Sequence, residues 1–138
     1  MFGWLKNLFG KKTPRTFSHP ELGVITFDCG VWGGSVWQGE REIRFSLGGT
    51  DKAPDEGSIN ELLKLLLRFR DVEQCAKDFL VSRESELSGA SLEFYSLDLL
   101  WVDKSENFTF EFIANNDDSC VWRVEFIEGK PAQTGFDD

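Results

Sequence analysis

The chain has 138 residues, 41% hydrophobic and 28% charged, enough apolar material for one cored domain and too much for a disordered segment. Its formal charge is −9; residues 1–15 hold Lys6, Lys11, Lys12 and Arg15 and no acid, so residues 16–138 carry −13. A body so negative repels phosphate backbones, which excludes nucleic acid as the expected partner and favours a basic protein surface.

Residues 1–10 set Phe2, Trp4, Leu5, Leu8 and Phe9 on helical spacing, with Lys6 and Asn7 off that stripe and Lys11 and Lys12 following. A helix this short is marginal alone in water, so the segment is expected to lie on a surface: lipid, its own domain or a second chain. "KKTPRT" reads as a linker, with Pro14 ending any helix, so residues 1–15 form an amphipathic basic segment and linker. The segment lacks the pattern of a signal peptide, and no run of about 18 apolar residues follows to span a bilayer.

A single domain is expected over residues 16–130. "GVITFD" (23–28) alternates and is β-rich, "VWGGSVWQGE" (31–40) carries Gly33-Gly34 as a turn or bulge, and "REIRFSLGG" (41–49) puts Ile43, Phe45 and Leu47 on one face. "LGGTDKAPDEGS" lies between strand and helix as phosphate loops do, but lacks the G-K-[ST] ending and carries a net −2. Its acids suit the positive end of a following helix. "SINE" (58–61) reads as a capping box, Ser58 with Glu61. Apolar steps from Ile59 to Leu80 then predict one long helix, or two that meet near Arg70-Asp71.

Beyond "SELSGAS", strands are expected over residues 92–103, 107–115 and 120–129; Phe108, Phe110 and Phe112 share a face, as do Cys120, Trp122, Val124 and Phe126. Residues 131–138 read as a C-terminal tail. The order βββ-α(α)-βββ predicts an α+β fold: an antiparallel sheet of about six strands with one long or two short helices on one face.

No constellation demands catalysis. His19, the one histidine, precedes Pro20 and reads as a turn residue. Cys29, Cys75 and Cys120 are odd in number and far apart, against a disulfide framework and for a reducing, cytoplasmic compartment. "NNDDS" (115–119) is explained by a hairpin turn, with an adventitious cation site there or at "FDD" as the alternative. No catalytic residue, metal ligand or cofactor site is assigned. Trp32, Trp37 and Trp101 are the candidate partner-binding residues, although Trp122 and one of Trp32 or Trp37 fit inward positions.

"HPELGVITFDCGVWGGSV" followed by an I-x-F-S-L strand resembles small uncharacterised bacterial domains of unknown function that open on a His-Pro-x-Leu/Phe-Gly strand and a Trp-Gly turn. Some of those sit near toxin–immunity systems. The resemblance covers about residues 18–50 and implies an α+β bacterial domain that binds rather than catalyses; it supplies no site residues. Three functions are weighed: an interaction module, immunity-like, binding a basic protein; a peripheral protein of the inner membrane held by Phe2, Trp4, Leu5, Leu8, Phe9, Lys11 and Lys12; and an enzyme with an unrecognised site. Self-association is compatible with the first two.

Overall fold

The computed structural model describes residues 15–83, 95–104, 106–114 and 117–137. Eight strands form one sheet in sequence order: β1 (Arg15–His19), β2 (Gly23–Asp28), β3 (Val31–Gln38), β4 (Arg41–Leu47), β5 (Tyr95–Val102), β6 (Phe108–Ala114), β7 (Asp117–Ile127) and β8 (Lys130–Asp137). Between β4 and β5 run helices α1 (Glu56–Leu67) and α2 (Phe69–Arg83). All neighbours are antiparallel except β4 and β5, which pair in parallel. Two four-stranded meanders thus join through one helical crossover, the connection a parallel pair requires. This corrects the six-stranded antiparallel βββ-α(α)-βββ arrangement expected from sequence: the sheet has eight strands and is mixed.

The two additional strands are the edges. Their sequences have the look of linker and tail, because Pro14 and Pro20 bracket β1, and Pro131 and Gly135 interrupt β8. Their partners supply the hydrogen bonds: Phe17 stands opposite Ile25 on β2, and Phe136 opposite Trp122 on β7. Tight turns keep the meanders in register. Cys29 and Gly30 (φ 51° and 84°) and Glu128 and Gly129 (φ 53° and 80°) are two-residue loops with both φ positive, the geometry whose twist matches flanking strands.

One sheet face is sealed. Trp32, Phe45, Leu100, Phe110, Phe112, Val124 and Phe126 are buried there with Leu62, Leu65, Phe69, Ala76 and Leu80 of the helices. α1 lies against β5, and α2 against β7 and β8. The Phe69 ring stacks on Phe110 at 5.9 Å, and Phe108 on Phe126 at 4.6 Å. Gly34 faces this side because the Phe45 ring lies over it; a Cβ there would sit 2.9 Å from Phe45 Cζ. The Gly48–Asp55 loop is tied to the sheet as well. Trp32 Nε1 donates to Thr50 O at 2.7 Å, and Arg15 pairs with Asp51.

The helical stretch divides at Arg68, whose φ of −128° leaves the helical range. α1 starts one turn earlier than "SINE" implies: Asp55 is the N-cap, its side chain accepting from the Gly57 amide. Ser58 therefore falls inside the helix and is fully buried, and Glu61, also buried, turns to the β5–β6 loop and accepts from the Glu106 amide at 3.1 Å.

Candidate interaction face

No described element packs on the second face of the sheet. One row crosses it from β2 to β8: Thr26, Gly33, Ser46, Trp101, Thr109, Glu125 and Gln133 stand opposite one another in turn. Period-two alternation puts these residues outward wherever the sealed face takes its Phe, Leu and Val. Trp101 is 37% exposed, and Val24, Trp37 and Ile127 of the same face are exposed at 62%, 64% and 41%. An open antiparallel face is ordinarily polar, so four large apolar side chains on it are a feature to explain.

Trp101 is held in place. Its Nε1 donates to Glu111 Oε2 at 2.9 Å, and Arg123 Nε donates to the same oxygen at 3.0 Å. The other arm of Arg123 grips Asp137. This chain of four side chains runs across β5, β6, β7 and β8, and the hydrogen bond to Asp137, aided by Glu111, raises the Arg123 pKa further against the opposing effect of burial. Nearer the centre, Arg44 Nη1 meets Asp98 Oδ1 at 3.2 Å. Asp98 is freed for this by the register shift between Leu97 and Leu99.

Two hollows flank this centre. One, of about 580 Å³, is lined by Val24, Thr26, Gly33, Ser35, Glu42 and Arg44; it exists because Gly33 puts no side chain on the face. The other, of about 480 Å³, lies at the strand ends and is lined by Val31, Trp101, Asp103, Thr109, Glu125 and Ile127 among others. The acids of the face, Asp28, Glu42, Asp98, Glu111, Glu125 and Asp137, outnumber its bases, Arg44, Arg123 and Lys130.

The residues singled out from sequence separate. Trp32 is fully buried on the sealed face, so it cannot meet a partner. Trp37 and Trp101 share the open face but do not form one patch: Trp37 pairs with Glu42 and Trp101 with Ser46, four residues along β4 or about 13 Å. Phe2, Trp4, Leu5, Leu8, Phe9, Lys11 and Lys12 lie outside the described residues. His19 serves the β1–β2 turn, Nδ1 accepting from the amides of Glu21 and Leu22 at 3.0 and 3.2 Å. Among the described residues no group of three or more His, Cys, Asp or Glu side chains could hold a metal ion, and no helix is long and apolar enough to cross a membrane.

Sequence reasoning missed Glu111, Arg123, Asp103 and Glu125. Their signal was present: "FTFEF" and "VWRVEF" alternate, and opposite charges at Glu111 and Arg123 fall on the polar side of both runs. Compared with protein-family models, curated proteins and solved structures, the chain matches none.

Proposed function

We propose that the protein is a non-catalytic interaction module whose open sheet face grips a basic protein partner. The observation that carries this is the face itself: one side of the sheet is sealed by helices, while the other leaves Val24, Trp37, Trp101 and Ile127 exposed on a surface where acids outnumber bases. Aromatic and apolar anchors within a charged surround are the make-up of binding patches, and opposite charge speeds encounter and rejects wrong partners. A cytoplasmic setting fits the exposed thiols of Cys29 and Cys75.

The test is capture by immobilised intact protein from a lysate of its source cells, with Trp37→Ala/Trp101→Ala as control. The expected result is a basic protein retained at low salt, released as ionic strength rises and lost with the double variant. Empty capture, retention of acidic proteins alone, or retention unchanged in the double variant overturns the reading.

A further inference from the structure

Resting on that reading of the open face, we propose that the hollow beside Trp101 seats one arginine side chain of the partner. Three observations converge on it. The indole forms one wall and is already oriented by Glu111, which Arg123 holds in turn, so the ring itself needs no further ordering on binding. Asp103 and Glu125 line the same hollow, and no described cation pairs with either carboxylate; neighbouring Lys104 turns instead to Asp55, at 3.2 Å. Among the described residues no Lys, Arg or His lines the hollow.

The chemistry selects a cation with an apolar stem. A guanidinium over an indole face within about 6 Å gains from the ring's quadrupole. Its planar fork also offers several donors at once, enough for one carboxylate just past β5 and another on β7, where an ammonium acts as a point charge. Val31 and Ile127 give the aliphatic stem an apolar lining. An anionic group would meet two carboxylates that no described cation neutralises and is rejected. The second hollow differs: Arg44, the one cation among its described lining, is committed to Asp98.

Three short blocked peptides test this on the intact chain, identical except for arginine, citrulline or lysine at the centre. The readout is the Trp101 indole N–H resonance, assigned with Trp101→Phe. The arginine peptide is expected to shift it saturably at millimolar concentration, the lysine peptide more weakly and citrulline not at all. Asp103→Asn/Glu125→Gln is expected to weaken the arginine peptide by about tenfold while the indole N–H keeps its folded position. Equal binding of citrulline, equal binding of lysine, or an unweakened double variant overturns the assignment. Failure of the hollow and failure of the face are distinguishable. If Asp103→Asn/Glu125→Gln retains the captured basic partner while Trp37→Ala/Trp101→Ala loses it, the face binds without this anchor. If neither peptide nor partner binds, both readings fall.

Discussion

The two faces of this sheet are built from the same strands, often from adjacent residues, yet they are held by different physics. On the sealed face Phe110 is fully buried and touches Phe69, Phe108, Phe112 and Phe126, so its stability comes from apolar area and close packing. One residue along, Glu111 faces the other way and is held, among the described residues, by an indole and a guanidinium. The sealed face specifies the fold, and the open face leaves its side chains far less constrained by packing.

The sharpest way to break this contrast is to truncate one residue on each side. Phe110→Ala is expected to cost about 3–5 kcal/mol, near the whole stability of many domains, whereas exposed Trp37→Ala should stay within about 0.5 kcal/mol. Urea denaturation of both variants decides it; similar losses would mean that the open face is structural after all. Glycine offers the same comparison within two consecutive residues. Gly34→Ala pushes a methyl to 2.9 Å from the Phe45 ring and should cost about 1–3 kcal/mol, while Gly33→Ala meets only Phe45 O at 3.7 Å and should be nearly neutral.

The network on the open face should answer with an intermediate loss. Arg123→Ala leaves the partly buried Glu111 carboxylate with the Trp101 indole as its remaining described partner, so about 1–2 kcal/mol is expected. The Trp101 indole N–H resonance should move with it. A loss of stability with that resonance unmoved would show that Arg123 does not help to position the indole.

The same contrast explains what could be read in advance. Inner-face residues announce themselves by alternation, and the runs "REIRFSL", "FTFEFIA" and "CVWRVEFI" form β4, β6 and β7. Edge strands cover less core, so β1 offers one large apolar residue, Phe17, and β8 one, Phe136; neither makes a period. The parallel pairing of Phe45 with Leu100 joins residues on opposite sides of a helical crossover, and nothing local to either strand encodes it. At α1 the capping-box pattern pointed to Ser58, but Asp55 is the N-cap, which leaves Ser58 inside the helix and buried with Ile59 and Leu62. The open-face chain from Trp101 to Asp137 needed the strand register before its members could be seen as neighbours.

The smallest expected effect lies at a turn on the margin of the open face. Cys29 sits at the exposed tip of the β2–β3 hairpin, where its Sγ lies 3.5 Å from Asp28 Oδ1. The hydrogen bond to Asp28, reinforced by that carboxylate's charge, favours the neutral thiol and raises its pKa. Less thiolate at a given pH means slower alkylation. Asp28→Asn removes the charge and should speed iodoacetamide labelling of Cys29 at pH 8, with the rate–pH curve displaced to lower pH and thermal stability unchanged. Following the labelled peptide by mass spectrometry separates Cys29 from Cys75 and Cys120. An unchanged rate would mean that the carboxylate does not face the thiol in solution. A change in stability would mean that this turn, like the sealed face, carries part of the fold.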